Sequence, residues 1–139
     1  LDIKHIDERV SVSPQIGIDD VARLKAAGFV AIINNRPDGE DATQPPGAVI
    51  AEAAAAAGLR YFAIPLGRDG VRDELIEATR QALDSVEGPV LAYCRSGTRS
   101  TTLWALSQAG REATEDLIGK AAGAGYDILH LRGHLDAGV

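Results

Sequence analysis

The chain has 139 residues, 45% hydrophobic and 24% charged, with a formal net charge of -6. That length buries one core, and the composition excludes disordered and collagen-like chains. The charge argues against nucleic acid as a partner, since phosphate-backbone binding wants a basic face, and no apolar run approaches the ~20 residues of a membrane span.

In chain order, Glu8–Ser13 alternates polar and apolar residues, as a half-buried edge strand does, and Pro14 stops it. Asp19 and Asp20 open a helix with Val21, Leu24 and Ala27 on one face, and Gly28 supplies a left-handed stop. Phe29–Asn34 is a continuous apolar run, which predicts a strand buried on both faces. Residues 36–46 (RPDGEDATQPP) form the longest loop. Ala48–Ala57 reads as a helix ended by Gly58, and Leu59–Leu66 as the next strand. A loop over Gly67–Arg72 leads to a helix capped by Asp73, with Leu75, Ile76, Thr79, Ala82, Leu83 and Val86 inward. Gly88–Pro89 turns the chain into a strand over Val90–Tyr93. After the segment Cys94 to Ser100 come a helix carrying Leu103, Trp104 and Leu106, then helices over Ala113–Ala124 and Asp127–Leu135.

This alternation predicts one α/β domain over residues 1–139, with a mainly parallel sheet of four to five strands flanked by helices. The charged start, LDIKHIDERV, lacks a secretory pattern, so a cytoplasmic protein is expected. The single cysteine makes neither an internal disulfide nor a cysteine-rich zinc site. His130 and His134 stand four apart without an acidic or cysteine partner at ligand spacing, so no metal and no cofactor are expected.

Ligands of an open parallel sheet bind at the carboxyl ends of its strands. The loops there carry Arg36, Arg68, Arg72, Arg95 and Arg99, five of eleven arginines, in an acidic chain. Such a concentration suits an anionic substrate. Pairing with Asp38, Glu40, Asp41 or Asp73 is the plainer alternative for Arg36, Arg68 and Arg72. Cys94 ends an apolar strand and precedes a helix, with Arg95, Ser96, Gly97 and Thr98 between it and Arg99. A curled loop of this kind turns its N–H groups inward, and the helix adds its positive end. A thiol there ionises easily, and a guanidinium offers a fork of donors to an oxyanion. Cys94 is therefore the candidate nucleophile and Arg99 the candidate substrate receptor.

The string YCRSGTRS resembles the active loop of rhodanese-like sulfurtransferases, although their upstream acidic-Arg and G-H-I-P-G-A signature is missing. The rest resembles a small dual-specificity protein tyrosine phosphatase: YFAIPL, an Asp-containing loop, a helix, VLAYC, then Arg-Ser opening a helix. The segments NNRPDGE, GLRYFAIPL and VLAYCRSGTRSTTLWAL are similar to the phosphatase-like domain of bacterial beta-lactamase-hydrolase-like proteins, from about Ile6 to Tyr126. That family is described both as phosphatase-like and as sulfur-transferring, and some members are fused to a metallo-hydrolase-type domain.

The phosphatase resemblance implies Cys94 as nucleophile, Arg99 on the phosphoryl oxygens, Ser100 easing departure of the sulfur, and Asp69 as general acid. Asp73 and Asp38 stand behind Asp69 as alternatives. Arg95, Ser96, Gly97, Thr98, Arg36 and Arg68 are the expected substrate-binding residues. Two departures matter: four residues instead of five separate the cysteine from the arginine, and Tyr93 replaces the preceding histidine. The shorter loop suits a sulfur atom and keeps open a sulfurtransferase carrying a Cys94 persulfide, with a phosphate ester or a sulfane-sulfur donor as the anionic partner. A non-catalytic anion or redox sensor is the third reading.

Overall fold

The computed structural model describes residues 1–138. Its five-stranded sheet has the order β1-β2-β5-β3-β4, with β1 at Lys4–His5, β2 at Val10–Ser13, β3 at Ala31–Asn34, β4 at Arg60–Ala63 and β5 at Val90–Tyr93. Pairings β2–β5, β5–β3 and β3–β4 are parallel, and only β1 runs antiparallel. The helices are α1 at Ile18–Ala26, α2 at Gly47–Ala57, α3 at Asp73–Asp84, α4 at Thr98–Gln108, α5 at Thr114–Gly123 and α6 at Arg132–Ala137. No helix among the described residues is long and apolar enough to cross a membrane.

Alternation along the strands divides the core between two layers. Ile32, Leu91 and Tyr93 pack with Ile16, Val21, Leu24, Ile50 and Ala54 beneath α1 and α2. Their sequence neighbours Ala31, Ile33, Val90 and Ala92 pack with Leu75, Leu83, Leu103, Trp104 and Leu117 on the opposite face. This is the period of two expected of a pleated strand. Each fully buried Leu or Ile stabilises the fold by about 1.5–3 kcal/mol. Trp104 is a core residue. Helix α4 buries Leu103, Trp104, Ala105 and Leu106 in succession, because the sheet, α3, α5 and α6 surround it. The loop that opens α4 is therefore anchored to a rigid core helix.

Three expectations need correction. The strand within Glu8–Ser13 is not an edge: β2 is buried along its length, because the two-residue strand β1 covers it. So short a strand carries no periodicity to be read from sequence. The helix expected over Asp127–Leu135 divides into a 3-10 turn at Leu129–Leu131 and α6. Of the expected strand Leu59–Leu66, only Arg60–Ala63 is regular strand, at the sheet edge opposite β1, although the N–H groups of Ile64 and Leu66 still donate to the Asn34 and Asn35 carbonyls. Gly28 and Gly58 do adopt positive φ after α1 and α2.

Register aligns the strand ends. Ser13 and Asn34 both pair with Tyr93, and Ala63 pairs with Asn34. The backbone N–H of Cys94 reaches the Ser13 carbonyl and that of Asn35 the Tyr93 carbonyl. Cys94 thus leaves the sheet at the middle of its carboxyl edge, where the first residues of the other loops converge.

Candidate active site

Between β5 and α4 the backbone curls through Arg95, Ser96 and Gly97, and Gly97 caps the helix at φ 91°. Glycine tolerates that left-handed conformation, and here it also lacks the Cβ that would run into the Tyr126 hydroxyl. The Gly97 N–H donates to Cys94 Sγ at 3.0 Å. Cys94 is fully buried, and burial is the largest single influence on its thiol, pushing its pKa up. The N–H groups of Ser100, Ser96 and Gly97, with the Ser100 hydroxyl, outweigh burial and hold the thiol below its ordinary range. Ser100 Oγ is buried without a hydrogen-bond partner among the described residues.

Arg99 projects from the first turn of α4. Its Nη1 donates to Glu40 Oε2 at 2.7 Å and to the Leu66 carbonyl at 2.9 Å, while Nη2 donates to Glu40 Oε1 at 2.8 Å. One edge of the guanidinium is occupied, and Arg99 also feels the charge of Cys94. Glu40 in turn accepts from Arg36 Nε at 3.0 Å. Arg99 first, and Arg36 after it, overcome the desolvation of Glu40 and hold its carboxyl at about 2. Glu40 is an anion at neutral pH.

The cleft in front of this loop has a volume of about 490 Å³ and is lined by Pro37, Asp38, Gly39, Glu40, Gly67, Arg68, Arg95 and Arg99. Arg95, Ser96 and Thr98 are exposed on the loop, and Ser96 Oγ donates to Thr98 Oγ1 at 3.1 Å. Arg68 is exposed on the turn after β4. Asp69, beside it, is exposed in the same turn and does not line the cleft.

Arg36 departs from its expected place. It is 5% exposed, its guanidinium donates to Glu40 and to Gln15 Oε1 at 3.0 Å, and it does not line the cleft in front of the Cys94 loop. Asp38 accepts from the Gly47 N–H at 2.8 Å, fixing the start of α2. Asp73 opens α3 outside the cleft lining. Asn35 donates to the Ile64 carbonyl at 2.8 Å, tying the start of the loop after β4, while Asn34 donates to the Tyr61 hydroxyl within β4 at 2.9 Å and accepts from the Arg36 N–H at 2.9 Å in the loop after β3.

Two residues near the site escaped assignment from sequence. Glu40 stands in a loop rich in turn formers, where it reads as a partner for Arg36, and nothing local points to Arg99. Tyr126 donates to the Ser96 carbonyl at 2.9 Å from 30 positions away. No signal in the sequence marks that contact.

A protein-family model described as the phosphatase-like domain of beta-lactamase hydrolase-like protein matches residues 2–111. The chain is 39% identical over 125 residues to a beta-lactamase hydrolase-like protein of Agrobacterium fabrum, covering 88% of this chain and 29% of that one. It spans about three-tenths of the length of the curated relatives it matches. It is similar to the crystal structure of a phosphatase candidate from Neisseria meningitidis, with a TM-score of 0.82 and 34% identity over 99% of this chain and 98% of that one. TpbA of P. aeruginosa, crystallised in complex with pTyr, has a TM-score of 0.63 and 18% identity over 97% of this chain and 80% of that one. At that identity the likeness concerns the fold alone.

Proposed function

The chain belongs to the phosphatase-like domain family of beta-lactamase hydrolase-like proteins, and on that premise we propose that it is a cysteine-dependent hydrolase of phosphate monoesters. The observation that carries this reading is the Gly97 N–H on Cys94 Sγ at 3.0 Å, at the N-terminus of α4 and beside Arg99. A pocket of donors that favours a thiolate also favours the oxyanion the thiolate would attack. The pTyr bound to TpbA, a neighbour in fold, agrees with an anionic phosphate ligand.

In the first step the Cys94 thiolate attacks phosphorus, forming a P–S bond as the P–O bond to the alcohol breaks. Arg99 and the loop N–H groups hold the phosphoryl oxygens, and Asp69 gives a proton to the departing oxygen. Glu40 is held by Arg99 and Arg36, and Asp38 accepts from the Gly47 N–H, whereas Asp69 is exposed in the turn after β4, beside the cleft residue Arg68. In the second step water attacks phosphorus and returns a proton to Asp69. The P–S bond breaks, and the Ser100 hydroxyl stabilises the thiolate that leaves. Glu40 orients Arg99, and Arg36 holds Glu40. Arg68 and Arg95 draw the anion into the cleft.

The four-residue spacing between Cys94 and Arg99 favours one other reading, in which Cys94 carries a sulfane sulfur. Intact-mass spectrometry separates the two. An aryl phosphate should leave a phosphoryl adduct on Cys94 and be hydrolysed, with loss of turnover in Cys94→Ser and Arg99→Ala. Addition of one sulfur from thiosulfate, removable by cyanide, with no phosphoryl adduct, overturns the hydrolase in favour of sulfur transfer.

A further inference from the structure

The peptide joining Ser96 to Gly97 is trans and planar, so its carbonyl and its N–H point in opposite directions. The N–H donates to Cys94 Sγ at 3.0 Å. The carbonyl accepts from the Tyr126 hydroxyl at 2.9 Å. One peptide unit is therefore held from both sides, by the sulfur within and by the phenol without. A glycine on its carboxyl side leaves such a unit few steric barriers to rotation. Turned over, it would aim a carbonyl oxygen at the sulfur and replace a donor with a repelling lone pair.

We propose that Tyr126 is a positioning residue, whose hydroxyl locks the Ser96–Gly97 peptide with its N–H toward Cys94 and so maintains the anion-holding form of the loop. Tyr126 is well placed for this. Its own N–H is tied to the Ala121 carbonyl at 2.9 Å at the end of α5, and its ring is half-buried. It lies beyond the residues 2–111 that the family model matches, so a segment outside the matched core braces the nucleophile loop. Burial first, and then the neighbouring Cys94, push the phenol above its ordinary range, so it keeps its proton and remains a donor at neutral pH. The inference rests on Cys94 being an activated nucleophile and holds for phosphoryl and sulfur transfer alike.

The test is the ionisation of Cys94, followed by the ultraviolet absorbance of its thiolate in wild type and in Tyr126→Phe. Cys94 is the single cysteine, so the signal is unambiguous. The charged and titratable groups that face the sulfur are Arg99 from α4 and Tyr126 from the connection after α5. Only the phenol hydroxyl changes. The acid ionisation constant of Cys94 should fall about two- to tenfold, the worth of one neutral hydrogen bond, with the melting temperature nearly unchanged. Equal constants in the two folded proteins overturn the role of Tyr126. A wild-type thiol that titrates like a free cysteine overturns the activated nucleophile itself, a separate and recognisable failure.

Discussion

Replacing Glu40 with glutamine removes the charge that joins Arg99 to Arg36 while keeping the side chain's size. In the folded protein that carboxyl is held at about 2 against an ordinary 4.5. The difference is equivalent to about 3 kcal/mol at 1.36 kcal/mol per unit. Glu40 is 29% exposed and solvent screens its pairs, so about 1–2 kcal/mol is the realistic cost at pH 7. The sign follows from the lowered folded value. The stabilisation is fully present above about 4.5 and is lost as pH falls from there through about 2. Urea denaturation of wild type and Glu40→Gln, repeated from pH 7 down to pH 3, should show a gap that narrows once pH drops below about 4.5. Catalysis should suffer too. The amide that replaces the carboxylate has one carbonyl acceptor for two guanidinium nitrogens, so kcat/KM for an aryl phosphate should fall severalfold as Arg99 loses its fixed plane. A stability gap below about 0.5 kcal/mol at pH 7, or one unchanged between pH 7 and pH 3, would refute the reasoning.

Two further outcomes follow from the same geometry. Asp69→Asn should remove the basic limb of the kcat profile against pH, whereas Asp38→Asn, whose amide oxygen still accepts from the Gly47 N–H, should leave both that limb and the stability nearly unchanged. A basic limb that survives in Asp69→Asn and vanishes in Asp38→Asn would transfer the acid's role to Asp38. Gly97→Ala introduces a Cβ at φ +91° and against the Tyr126 hydroxyl. It should destabilise the chain by at least about 1–2 kcal/mol and raise the pH at which Cys94 ionises, checked by thermal melts and thiolate absorbance.

Much of this protein is legible in order along the chain. The apolar runs at Phe29–Asn34 and Val90–Tyr93 are buried on both faces, as their lack of alternation implies. Gly28 and Gly58 end their helices, and the strand, curled loop and helix around Cys94 are present. These are local properties, decided by the side chains of a few neighbouring residues. Strand β1 is too short to carry a pattern, and the 3-10 turn at Leu129–Leu131 breaks a segment whose composition reads as continuous helix.

The surroundings of the cysteine are a different matter. Whether Arg36 faces substrate or turns inward depends on where Gln15 and Glu40 stand, and those come from the loop after β2 and the loop after β3. Glu40 meets Arg99 across 59 positions, and Tyr126 meets Ser96 across 30. The amino-acid order alone determined an acidic α/β chain with one thiol between an apolar strand and a helix. Only the tertiary structure decided which charges grip the arginine and which hydroxyl braces the loop, because such contacts are set by strand order and register, which bring distant segments to one edge of the sheet.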